Sequence, residues 1–467
     1  MALRDVISNI LSPRQSETGF APLTDEHKAR RDLYAAFWRY YRGHHRKALK
    51  VRPNTADDNV TLNLSKRIVN KGVQFLFGKA VDFEIDGGSE TERSAEEQYL
   101  DRVWGPDEQK HTLLQSIALN GGVTGTPVVR LYEPVPNMAD SLPRIVNMDP
   151  SLLDVVTHVD DVSNVVSYRL VWRSGEQWKR HRIDRQENDT WYVTAETTKP
   201  GSAQWVTIAE ESALWPYPFA PIVTAQNLPA PNEFWGMSDL EEADINDAIN
   251  FTASNIARIL KFHAHPKTIG TGFSADQLQN TSVDEMWAIS DPAAKVFNLE
   301  MQSDLASAYN YLAMLKQMYA KVSGVPDIDP AIVNVGALSG FALRILYGDL
   351  LETTQTKRNT YGALLSEVNQ RVLALGNLAE YGSVEIKNVW QDPLPSNDKE
   401  QAETLKIDKE NGLSTETYLV RRGYDAEQEM EKRKADQAEQ QATLAAAMTN
   451  AQRSFDQEDN GEQAPRR

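Results

Sequence analysis

Between Ser238 and Leu375 the chain spells three long helical patterns held apart by two stretches that resist helix, and few folds accommodate that order. Ser238-Asp239-Leu240-Glu241 has the form of a capping box, in which the serine oxygen takes one free backbone N–H and the glutamate returns to another. Apolar positions Ile245, Ala248, Ile249, Thr252, Ile256, Ile259 and Leu260 then make one stripe, which predicts a helix to about Phe262. Pro266, Gly270 and Gly272 mark an excursion to Leu299 with short strands at Lys267 to Gly270 and Lys295 to Leu299. A second helix, Asp304 to Val322, carries Leu305, Ala308, Leu312, Leu315, Tyr319 and Val322, a helix-packing seam. Ser323-Gly324 stops it, and two prolines and a glycine keep Val325 to Leu338 out of regular helix. Ser339 can cap a third helix to Leu375, whose middle, Glu352 to Thr360, is polar on all sides and should face water or bend.

The flanking segments differ in kind. Thr24 caps an expected helix to Tyr41, with Tyr34, Phe37, Trp38 and Tyr41 at helical spacing. Further helices are expected over Leu62 to Phe77 and over Gln109 to Asn120, the latter closed by Gly121-Gly122. Strands are expected over Thr126 to Tyr132, Arg144 to Met148, Leu152 to Val159, Val165 to Arg173, Trp178 to Asp184, Thr190 to Glu196 and Gln204 to Ala209. One more strand, Val384 to Trp390, precedes charge-mixed helices after Asp398, and Ser454 to Arg467 lacks an apolar face and reads as disordered. The fold class is therefore α+β.

Composition narrows the function. Across 467 residues there is no cysteine, which excludes disulfides, thiolate metal sites and cysteine nucleophiles. A net charge of −17 is the wrong sign for tight, counterion-releasing capture of nucleic acid. No segment has the length and apolarity of a membrane span, and Arg4, Asp5 and Asn9 interrupt any signal-peptide core, so a soluble cytoplasmic protein is expected. Gly72 to Ala80 imitates a phosphate-binding loop but has five residues between its glycines and no hydroxyl after Lys79. His263 and His265, the pair His44-His45, and Asp327 with Asp329 are the candidate metal ligands. Solvated histidines and turn-capping aspartates account for the same residues. No cofactor or metal is expected. Two alternatives stay open: a metal-dependent phosphoryl-transfer or nuclease enzyme using Asp327 and Asp329, and a monomeric interaction scaffold.

Several short segments, in order, carry a resemblance. They are Tyr40-Tyr41-Arg42-Gly43, then Asn63 with Arg67-Ile68-Val69-Asn70, then Phe77-Gly78-Lys79-Ala80-Val81-Asp82-Phe83 and Asp149-Pro150. Asp239-Leu240-Glu241 through Asn250, Ser323 to Asp327, Ser339 to Leu343, Leu394 to Asn397 and Gly412 to Thr417 complete the series. Together they resemble the portal proteins of tailed double-stranded DNA bacteriophages, in particular the long-tailed ones. Ala80 and Asn70 stand where that family often has proline and aspartate.

The resemblance implies a portal fold: a mixed α/β wing, a helical stem, a small α/β clip, a long kinked helix with a channel loop, and an α-helical crown. The wing would be 1–236, with 1–23 a loose arm, joined by a long helix at 340–375 and a strand at 376–397. Stem helices would be 237–262 and 301–323, packed through Ile245, Ile249, Ile256, Leu312, Leu315 and Tyr319. The clip would be 263–300, with Met286 and Trp287 as partner anchors. The channel loop would be 324–339, presenting Val325, Pro326, Asp327, Ile328, Asp329, Val333, Asn334 and Val335 to DNA. Arg344, Lys357 and Arg358 are candidate lumen cations. The crown would be 398–450 and the disordered tail 451–467. The family implies a self-assembled ring, usually of twelve subunits, at one capsid vertex of the virion and assembled in the host cytoplasm. Double-stranded DNA would be packaged and ejected through it. The implied partners are the terminase large subunit, head–tail connector or adaptor proteins, and major capsid and scaffolding proteins, with no membrane.

Overall fold

The computed structural model describes residues 23–51, 56–85, 94–135, 138, 140–198, 204–264, 268–272, 293, 295–298, 305–327, 340–394, 406–412, 414–421, 429–430 and 432–434. The chain divides into two units, Met1–Leu394 and Pro395–Arg467. The architecture is α+β, as expected.

Capping residues open the first helices. Thr24 accepts from the His27 N–H at 3.2 Å and starts α1 (Asp25–Tyr41); Asn63 accepts from Lys66 at 3.0 Å and starts α2 (Leu64–Phe77). β1 (Val81–Ile85) and α3 (Ala95–Trp104) follow, neither expected from the hydrophobic pattern, although Ser94 and Glu97 form a complete capping box before α3. Next is α4 (Asp107–Thr124), which corrects an expectation, because it runs straight through Gly121-Gly122 and ends at Gly125 in the left-handed conformation (φ +87°). The two inner glycines answer a packing demand: a Cβ on Gly121 would lie 1.9 Å from the Tyr361 hydroxyl, and one on Gly122 3.0 Å from Asp239 Oδ2.

Each expected strand segment between 126 and 209 contains a strand: β2 (Val128–Tyr132), β3 (Arg144–Met148), β4 (Leu153–His158), β5 (Asp161–Ser174), β6 (Gln177–Arg185), β7 (Trp191–Thr198) and β8 (Val206–Thr207). Short β9 (Ala213–Trp215) and β10 (Ile222–Thr224) were not expected. One antiparallel sheet runs β4-β5-β6-β7-β8, with β9 also paired to β7; a second runs β10-β2-β3.

Helix α5 (Asp244–Ala264) starts later than expected. Ser238 Oγ does accept from Leu240 N at 3.0 Å, and Glu241 from Ser238 N at 3.3 Å, but they close a turn that precedes the helix. The paired strands β11 (Thr268–Thr271) and β12 (Lys295–Asn298) lead to α6 (Leu305–Ser323). The third long helix is broken at Tyr347, into α7 (Gly340–Leu346) and α8 (Gly348–Leu375). The helix is unbroken from Glu352 to Thr360, and α8 buries Thr354 and Lys357 there instead of turning every side to water. Glycine at 348 is the weak helix former beside the break.

The core gathers on α8. Tyr361, Leu364, Leu365, Val368 and Val372 pack with Phe77, Trp104, Leu114, Ile117, Val128 and Ile222. β13 (Ile386–Trp390) returns to pair antiparallel with β1. Asn369 accepts from the Trp104 indole at 2.7 Å, and Arg371 donates to the carbonyls of Ala220 and Ile222 at 2.6 and 2.8 Å. In the second unit, Ser414 Oγ accepts from Thr417 N at 3.1 Å and caps α9 (Thr415–Arg421).

Candidate subunit interface and loop root

Helices α5 and α6 each use one face inside the chain. Ile249 and Tyr319 are buried with Ile68 and Phe75 of α2 and Leu350 of α8, and Ile245, Leu312 and Leu315 pack half-buried against that cluster. Ile256 is buried too. Burial pushes the Tyr319 hydroxyl up to about 12, so it stays protonated and shares a hydrogen bond of 3.3 Å with Ser65 Oγ.

The polar side of α5 reads an extended segment. Asn246, Asn250 and Ser254, four residues apart, accept from the backbone N–H groups of Leu64, Leu62 and Val60 at 2.8 to 2.9 Å. Four helical residues rise about 6 Å and two extended residues about 6.6 Å, so the two ladders match in step. Sequence reasoning missed this ladder, though three polar residues at a spacing of four inside an apolar helix were its signal.

A second side of α6 is also apolar, and it stays exposed. Tyr311, Met314, Met318 and Val322, at helical spacing, are exposed, Val322 by 57%, so Val322 leaves the inner seam assigned to it from the sequence. Tyr309 on another side of α6, Phe251 and Leu260 of α5, and Phe341 and Ile345 of α7 are exposed as well, Phe341 by 73%. A monomer rarely leaves so many large apolar side chains in water along a few neighbouring helices without a partner for them.

Where α6 ends, Gly324 takes φ +66° and the chain turns away. Val325 is buried with Ile68 and Tyr319, and Asp327 lies 2.5 Å from Arg67 of α2, which also donates to the Pro326 carbonyl at 3.2 Å. Ile328, Asp329, Val333, Asn334 and Val335 lie outside the described residues, as do Met286, Trp287 and His265. The carboxylate of Asp327, offered as half of a metal pair, is occupied by Arg67. Among the described residues, no three His, Asp or Glu side chains are grouped to hold a metal.

The candidate cations separate. Lys357 is corrected outright: it is 4% exposed and contacts both oxygens of Asp239 at 2.7 Å, so its charge is neutralised inside the fold and meets no lumen. Asn227 bridges onward, donating to Asp239 at 2.9 Å and accepting from Tyr361 at 3.1 Å; complete burial raises the Tyr361 hydroxyl well above its ordinary value. Arg358 lies against Trp390 and donates to the Gln391 carbonyl at 2.5 Å, while Arg344, more open to water, pairs with Asp392. An open cleft of about 580 Å³ lies between α6, α8 and the turn before α5, with Glu242, Asp349 and Glu352 on its wall. No histidine lines it, and no nucleophile and base meet there.

The family described as phage portal protein, SPP1 Gp6-like, matches residues 21–443. Similar solved structures include a chain from the neck of a native gene transfer agent particle computed with C12 symmetry, at 13% identity and TM-score 0.45, over 84% of this chain and 93% of that one. A chain from the virion of a native gene transfer agent particle is 14% identical at TM-score 0.45, over 90% of this chain and 98% of that one. Another, from the neck of an empty particle computed with C6 symmetry, is 12% identical at TM-score 0.48, over 89% and 98%. No curated protein matches the sequence.

Proposed function

This chain belongs to the SPP1 Gp6-like phage portal family: it is a portal protein, and on that premise we propose that identical copies close into a ring, of twelve subunits, at one vertex of a virion capsid. Double-stranded DNA is packaged and ejected through the central hole. The family is structural, and no catalytic role is assigned to any residue here. The wing is the sheet-bearing body together with α8, the stem is α5 and α6, the clip begins at β11 and β12, and the channel loop leaves α6 at Gly324.

The observation that carries the ring is the second apolar face of α6. Its inner face is satisfied within the chain, so Tyr311, Met314, Met318 and Val322 are left for another molecule to cover. A head-to-tail contact between unlike patches closes into a ring when the rotation per copy permits. A channel wall that holds no strong phosphate sites also suits a duplex that must slide. At −17 per copy, twelve copies carry roughly −200, a field that discourages capture of DNA on the rim. The terminase large subunit would dock at the clip during packaging and connector or adaptor proteins afterwards, with capsid and scaffolding proteins around the wing and assembly in the host cytoplasm. No helix among the described residues is long and apolar enough to cross a membrane.

Mass in solution and an electron-microscope projection test the ring. The expected result is a closed annulus of about twelve copies with a hole that admits a duplex, roughly 20 Å across. A species that stays at 52 kDa at high concentration overturns it in favour of the monomeric scaffold. Magnesium-dependent DNA cleavage lost on Asp327→Asn would instead restore the nuclease alternative.

A further inference from the structure

We propose that the wing helix α2, acting through Arg67, sets the position from which the channel loop leaves the stem; Arg67 is thus a positioning residue for the loop. The inference rests on the channel-loop assignment proposed above.

The competing anchor is α6 itself, whose end the loop continues. Its hold on the loop root is weak: Gly324 N reaches the Lys321 carbonyl at 3.4 Å and Val325 N reaches Ser323 Oγ at 3.4 Å, both at the limit of a hydrogen bond. Pro326 has no N–H to offer. From α2, by contrast, one guanidinium makes two shorter bonds, 2.5 Å to the Asp327 carboxylate and 3.2 Å to the Pro326 carbonyl. Both are charge-assisted, and they fix two consecutive residues of the root at once. Arginine can do this because its donors diverge in one rigid plane; a lysine ammonium at the same place would supply a single point of attachment.

Helix α2 is itself well placed as a reference. Two residues before Arg67, Ser65 donates through N and Oγ to Asn246 of α5 at 3.1 and 3.2 Å, and meets Tyr319 of α6. One residue after it, Ile68 packs on Ile249, Tyr319 and Val325. One turn of α2 therefore touches both stem helices and the root of the loop. A shift of the stem relative to the wing would be felt at the root through Arg67.

Both partners are partly open to water, 39% and 48%, so the pair adds little to global stability. That separates a positional role from a structural one. Hydrogen exchange in the assembled protein, read over residues 321–327, should rise about tenfold at Gly324, Val325 and Asp327 in Arg67→Ala and by less in Asp327→Ala, which leaves the Pro326 bond in place. Ring mass, the melting temperature and exchange within 305–320 should stay as in wild type. Arg67→Lys should fall between, and Arg67→Asp combined with Asp327→Arg should restore protection. Unchanged exchange in both single variants overturns the proposal, as does a loss of protection that spreads through α6. Particles built with Arg67→Ala should retain several-fold less DNA. If root exchange rises while retention stays normal, the clamp stands and the channel-loop assignment fails.

Discussion

The sheet-rich body and the helical pair α5–α6 treat apolar surface in opposite ways. In the body, Tyr361, Phe77, Leu114 and Ile222 are enclosed by elements of the same chain, and the buried charge of Lys357 meets that of Asp239. In the pair, one face is enclosed while Tyr311, Met314 and Met318 are exposed, as Phe341 and Ile345 of α7 are. Regular amphipathic helices need one buried face. A second one, in a chain whose core is already closed, is the surface that the proposed ring would cover.

The contrast breaks most sharply at the outer face of α6. Met314→Lys with Met318→Lys should change the stability of the isolated subunit by less than about 0.5 kcal/mol while costing about 2 kcal/mol or more per contact between copies. Sedimentation should then show subunits where wild type shows rings, with thermal unfolding unaltered when both proteins are compared as dissociated subunits. A ring that survives would move the interface elsewhere. Inside the body the order reverses. Lys357→Met leaves Asp239 buried and unpaired, expected to cost about 3–5 kcal/mol, and Asp239→Leu added to it should return much of that. Denaturant melts of both variants decide this, and a single variant as stable as wild type would mean that water reaches the pair.

The smallest expected effect is one of pH. His181 Nδ1 accepts from both terminal nitrogens of Arg130 at 3.3 Å, and burial, then the Arg130 charge, push its pKa down to about 4 from 6.5. Between those values the unfolded chain binds a proton that the folded body refuses. Stability should therefore fall as pH drops from 6.5 toward 4, level off below, and be complete above 6.5. The melting temperature of His181→Gln, which keeps an acceptor for Arg130, should drop less over the same window. Equal slopes for the two proteins would remove His181 from the account.

Periodicity made most elements legible. The aromatic spacing of α1, the stripe of α5 and the alternation of β2 to β7 are local signals, and the elements lie where those signals put them. What misled was punctuation. Gly121 and Gly122 looked like a helix end because glycine disfavours helix, yet here it is tolerated inside α4 to let Tyr361 and Asp239 approach. The polar run from Glu352 to Thr360 looked like a solvated band, but Lys357 could be buried because Asp239, 118 residues earlier, supplies the opposite charge. No window along the chain contains both.

By itself, the sequence determined the α+β class, the helices α5 and α6 with the short strands between them, and the family likeness, because hydrophobic period and turn chemistry are properties of neighbouring residues. Tertiary structure alone decided which stripe of α6 is enclosed, that Lys357 is a core ion while Arg344 stays at the surface, and that Arg67 grips Asp327. Each of these depends on which distant side chains arrive at one place, and burial and charge pairing act through space, where separation along the chain does not count.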